Sequence, residues 1–154
     1  MTTAHEAPEK ILEADVGTWD AEVLVRPGPG APEQRSVGIS VQRLVGGRWL
    51  IVDFKNDTSG FEGHGLYGWD ATRKAYVGTW VDPMRTFLTI MEGAWDPGTR
   101  TMTYHAEARL PDGRTLTWRE QTVKDGDVQV YRQLWAVPGG EHEMMHVTYT
   151  RRRS

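Results

Sequence analysis

Few side chains in this sequence combine the type and the spacing that chemistry needs, and Glu120 leads them. Over residues 115–123, Leu116, Trp118, Glu120 and Thr122 recur at every second position, so a strand there puts the carboxylate on one face with an indole and a leucine. A carboxyl beside an apolar ring has its pKa raised toward the range useful for proton transfer. Arg132, which alternates with Val128, Val130 and Leu134 on the following strand, would pull it down again as an internal ion-pair partner; both roles for Glu120 stand. Asp53 lies in RWLIVDFK (Arg48 to Lys55), where the inward set is either Trp49, Ile51 and Asp53 or Leu50, Val52 and Phe54. Inside, it would be a base or a ligand anchor. Asp82, between Val81 and Pro83, reads as a turn cap at a rim.

The histidines are His5, His64, His105, His142 and His146. On a strand, His142 and His146 lie roughly 13 Å apart, too far to share a metal. A site joining His64, His105 and His146 across strands has no supporting spacing, so no metal is expected. His146 alone needs only to face inward near an open mouth to act as a base or a haem ligand. There is no cysteine and no GxSxG elbow, which leaves nucleophilic hydrolysis without a motif. Gly63 to Gly68 fits GxGxxG, but no apolar strand feeds it and no helix follows; glycines there mark bends or close approach, and no cofactor is expected.

The elements that must position these groups are strands. Gly60 to Glu107 carries GFEGHGLYGWD, YVGTWVD, EGAWDPGTR and TYHAE in succession, and Trp69-Asp70 with its following Thr-Arg is echoed at Trp95-Asp96. Each is a hairpin turn, since Asp caps its own turn and Pro-Gly presets one. Strands follow near 61–69, 75–82, 86–95, 101–109, 115–123, 128–137 and 142–151, after earlier ones at 20–25, around Val37, Ile39 and Val41, and at 48–55. Trp19, Ala21, Val23 and Val25 form the inward face of the first. PGPGAPEQ (Pro27 to Gln34) is a loop, and PEKILE (Pro8 to Glu13) a short helical turn with Ile11 and Leu12 on its apolar side, a lid or plug. The expected fold is all-β: an antiparallel up-and-down barrel of about ten strands with a short N-terminal helix, a two-sheet sandwich being the alternative.

The 154 residues suit a single domain, 1–154. A net charge of −3 and a pI near 5.9 argue against a nucleic-acid face, and Arg151-Arg152-Arg153 reads as a solvated tail. The opening MTTAHEAPEK has no apolar run, so neither a signal peptide nor an anchor is expected, and no segment is apolar enough for a membrane span; the expected location is cytoplasmic. Seven tryptophans and five tyrosines serve equally as core filling and as ligand walls.

Gly17-Thr18-Trp19 after a short helix, together with the closing Tyr149-Thr150-Arg151, resembles the calycin superfamily of lipocalins, fatty-acid-binding proteins and nitrobindins. That resemblance implies that Trp19 packs beneath Arg151, or Arg152, and seals the barrel floor. The run from GGRWL through FEGHGLYGWD, YVGTWVD and EGAWD to MMHVTYTRR is similar to a bacterial lipocalin-like family of unknown function, which implies a lipocalin-like barrel and no established reaction.

A closed barrel of this size is either filled by side chains or holds one small ligand. The expected function is binding of a small hydrophobic or aromatic metabolite, with Tyr67, Trp80, Tyr104 and Trp118 as walls and Glu120, Arg132, Asp53 or His146 as polar anchors. The alternatives are a cofactor-independent cyclase, isomerase or dehydratase using Glu120, Asp53 and His146, and a haem- or gas-binding barrel. The expected partner is the small molecule, with a homodimer allowed.

Overall fold

A computed structural model describes residues 7–153. One helix, α1 (Pro8–Glu13), precedes ten strands: β1 (Gly17–Val25), β2 (Gln34–Val45), β3 (Trp49–Asn56), β4 (Glu62–Asp70), β5 (Ala75–Val81), β6 (Thr89–Asp96), β7 (Thr101–Arg109), β8 (Thr115–Asp125), β9 (Val128–Val137) and β10 (Gly140–Arg151). Every strand pairs antiparallel with its sequence neighbours, and β1 pairs with β10, Trp19 opposite Arg151 and Val25 opposite Met145. The sheet closes into an up-and-down barrel, which leaves no open edge. No helix among the described residues is long and apolar enough to cross a membrane.

The Trp-Asp turns are built alike. Asp70 Oδ1 accepts the backbone N–H of Thr72 (2.9 Å) and Arg73 (3.1 Å), Asp96 Oδ1 accepts that of Gly98 (2.9 Å), and the fourth residue after each aspartate, Lys74 or Arg100, takes φ 53° to turn the chain back. These turns lie at the end of the barrel that α1 plugs. Ile11 and Leu12 are buried there with Tyr76 and Met102, and Trp69 and Trp95 pack around them.

Arg151 closes the same end. Its guanidinium lies 4.2 Å above the Trp19 ring, donates to the carbonyls of Ala14 (2.5 Å) and Val16, and reaches Asp127 at 3.0 Å. Trp19 is fully buried and donates its indole N–H to the Asp15 carbonyl at 2.8 Å. Arg152 instead pairs with Asp20 on the outside, at 2.5 Å.

The glycines of the central block seat aromatic rings. On the cross-strand register Gly65 faces Trp80 and Tyr67 faces Gly78. A Cβ on Gly65 would stand 2.5 Å from the Tyr67 ring and 3.1 Å from that of Trp80. Their absence lets both rings lie flat against the wall, so the interior stays hollow. In β2 the usual polarity is inverted: Ser36, Ser40 and Gln42 line the interior, while Val37 and Val41 are exposed.

Candidate functional site

The barrel encloses a cavity of about 820 Å³, floored by Leu12 and Asp15 and opening between the start of β2 at Gln34 and Arg35, the connection 57–61 and the connection 82–88. Asn56 shapes the first connection: Oδ1 accepts the N–H of Thr58 (3.0 Å) and Ser59 (2.9 Å), and Nδ2 donates to Ser36 Oγ (2.7 Å). Asp82 shapes the second, accepting from Trp80 Nε1 and from the Met84 N–H, each at 2.9 Å, as a rim cap does.

Glu120 faces this cavity from β8, and its partners come from its own strand and from β9. Trp118 Nε1 donates to Oε2 at 3.0 Å, and the Tyr131 hydroxyl donates to Oε1. Gln133 Nε2 donates to the Tyr131 oxygen at 3.1 Å, and Trp135 Nε1 donates to Gln133 Oε1 at 2.8 Å. The two indoles then stack at 4.6 Å and 13°, which closes a ring of five side chains with Glu120 as one member. Each carboxylate oxygen accepts one hydrogen bond from this ring and keeps lone-pair capacity.

Burial pushes the Glu120 carboxyl above its ordinary value; the hydrogen bonds from Tyr131 and Trp118 and the Arg85 charge pull the other way without cancelling it. Burial likewise raises the Tyr67, Tyr104, Tyr131 and Tyr149 phenols, so all four remain neutral O–H groups. Tyr67 and Tyr104 pack together at 5.6 Å. Lower down, Lys124 Nζ meets Asp15 Oδ2 at 2.8 Å, and Gln129 Nε2 donates to Asp15 Oδ1 at 2.7 Å.

Tyr67, Trp80, Tyr104, Trp118 and Glu120 all line the cavity. Three other expected anchors lie outside it. Asp53 is on the outer face of β3, because Leu50, Val52 and Phe54 form the inward set, and it binds His64 Nδ1 at 2.7 Å with both side chains half exposed. Arg132 points outward and lies 3.4 Å from Glu143, since β9 turns Gln129, Tyr131 and Gln133 inward. His146 alternates with Met145, Val147 and Tyr149, which line the cavity, and so faces out. Among the described residues no histidine lines the cavity and no cluster of His, Asp or Glu could hold a metal. His5 lies outside the described residues.

The residues that sequence reasoning missed are Tyr131, Gln133, Trp135 and Arg85. The signal was present on β9 as Gln129, Tyr131, Gln133 and Trp135 at period two. An apolar-inward rule discards it, yet a wall that lines a cavity can be polar.

Among solved structures, the chain is similar to Rv2717c from M. tuberculosis, at 16% identity and a TM-score of 0.69, over 97% of this chain and 100% of that one. At that identity the likeness is one of fold. No curated protein matches the sequence. Residues 4–151 match the family described as "Protein of unknown function (DUF1579)", and the chain belongs to that family.

Proposed function

We propose that this barrel binds a small, largely apolar or aromatic molecule in its cavity, with Glu120 as the polar anchor. What supports this is one observation: a hollow of about 820 Å³, walled by Tyr67, Trp80, Tyr104, Trp118 and Tyr149, in which Glu120 is held by two neutral donors and forms no ion pair among the described residues. Isothermal titration with aromatic probes such as 3-methylindole, together with quenching of tryptophan fluorescence, tests it. Saturable one-site binding is expected. Absence of binding by every probe overturns it.

The raised Glu120 carboxyl favours a second reading, an acid/base enzyme acting on a hydrophobic intermediate. Glu120 would take a proton from a substrate carbon and return it at another carbon, as an isomerase requires, at the group attacked in ring closure, as a cyclase requires, or at a departing hydroxyl that leaves as water, as a dehydratase requires. Deuterium uptake from D2O into a bound substrate, lost in Glu120→Gln, would support it; uptake unchanged in that variant rejects Glu120 as the base.

A further inference from the structure

We infer that Arg85 and Thr89 receive an anionic group at the cavity mouth, so that the ligand is a small aromatic acid whose far end presents an N–H or O–H donor to Glu120. This deepens the ligand-binding reading and rests on it. Arg85 lies in the 82–88 connection and lines the cavity, with its guanidinium carbon 5.0 Å over the Trp118 ring and 5.8 Å from that of Phe87. Stacking occupies only the face of the guanidinium. Its edge, a fork of N–H donors suited to a carboxylate, forms no ion pair or side-chain hydrogen bond among the described residues.

The neighbouring charges leave that fork available. Asp82 turns its oxygens to Trp80 and the Met84 N–H and forms no ion pair with Arg85 among the described residues, and Arg35, also at the mouth, is held by Glu33 at 3.2 Å. Four residues beyond Arg85, Thr89 lines the same cavity at 2% exposure, and its hydroxyl is buried without a partner among the described residues. A buried hydroxyl left unpaired is costly, and a turn of the Thr89 side chain toward the cavity would let an anion's oxygen satisfy it.

One indole fixes the spacing of the two anchors. Trp118 carries Arg85 on its face and gives its N–H to Glu120, so the cationic and anionic anchors stand about an indole apart on one wall. An apolar ligand would leave both charges with only their attraction across the indole, and a simple anion would leave Glu120 facing apolar surface. A flat one- or two-ring acid with a donor at its other end satisfies both.

Calorimetric titration of the wild type, Arg85→Gln, Thr89→Val and Glu120→Gln with four probes separates the possibilities. Indole-3-acetate carries acid and N–H, indole-3-acetamide lacks the charge, 1-naphthylacetate lacks the N–H, and 3-methylindole lacks the acid. The wild type is expected to bind indole-3-acetate about tenfold tighter than the amide, as a charge-assisted pair allows. Arg85→Gln should erase that preference by weakening indole-3-acetate far more than indole-3-acetamide or 3-methylindole, with Thr89→Val having a smaller effect in the same direction. Glu120→Gln should weaken the N–H probes relative to 1-naphthylacetate. Equal binding of acid and amide by the wild type, or a preference that survives Arg85→Gln, overturns this inference while 3-methylindole binding keeps the cavity reading intact. If none of the four binds the wild type, both fall together.

Discussion

Lys124 and Asp15, 109 residues apart in sequence, meet at 2.8 Å beneath the cavity, and each is almost entirely buried. The pair ties β8 to the short segment that follows the helical plug, and Gln129 and the Ile11 carbonyl complete its hydrogen bonding. Removing one partner strands a charge in the interior. Lys124→Met or Asp15→Leu should each cost about 3–5 kcal/mol in urea unfolding, and the two changes combined should cost less than the sum of the two separately.

Glu120 makes stability depend on pH in a direction opposite to that of a salt-bridged carboxylate. Its folded pKa lies above the unfolded one, so between the two values the folded chain keeps a proton that the unfolded chain has released. Stability therefore falls as pH rises through that window and stays lower above it. Glu120→Gln should gain in urea midpoint relative to wild type as pH rises above the ordinary carboxylate range, and the difference should shrink at the acid end. A constant difference across the range would show that Glu120 does not titrate in this way.

The seat that Gly65 provides for two rings predicts the effect of filling it. Gly65→Val must displace Tyr67 and Trp80, at a cost of about 1–3 kcal/mol for overpacking. The displaced rings should occupy the hollow, so calorimetry should show weaker binding of 3-methylindole. Thermal melting should give the stability loss.

Arg151 combines a stack on Trp19 with donors to two loop carbonyls, which lysine cannot reproduce from one ammonium group. Arg151→Lys should lower stability by about 1–3 kcal/mol, and Arg151→Met by at least as much. Urea midpoints check both. Loss well below that range would mean that solvent replaces these contacts.

The strands and their order were legible because the turn chemistry is explicit: two Trp-Asp turns, Gly46-Gly47, Pro111-Asp112-Gly113 and Lys124-Asp125-Gly126-Asp127 all fall at strand ends or between strands. The floor was legible too, from Gly17-Thr18-Trp19 and Arg151. Facing was legible where one face is plainly apolar, as for Trp19, Ala21 and Val23 or for Leu116 and Trp118. It failed at Arg132, where the aliphatic set faces out and Gln129, Tyr131 and Gln133 face in. At Asp53 both faces of β3 are apolar, and composition alone does not choose between them. Arg85 was invisible for another reason: it sits in a connection, and only the closed fold sets it over Trp118.

Nine of the ten ladders join strands adjacent in sequence, and the tenth joins β1 to β10. Folding can thus zip hairpin by hairpin, with one long-range closure left as the step that must meet a large loop entropy. The seam it forms is extended by the Arg152 N–H, which donates to the Thr18 carbonyl at 2.7 Å. A circular permutant that joins the chain across this seam and is cut at Gly46-Gly47 would make β1/β10 a local hairpin and transfer the slow closure to β2/β3, altering the refolding rate while keeping the same native barrel.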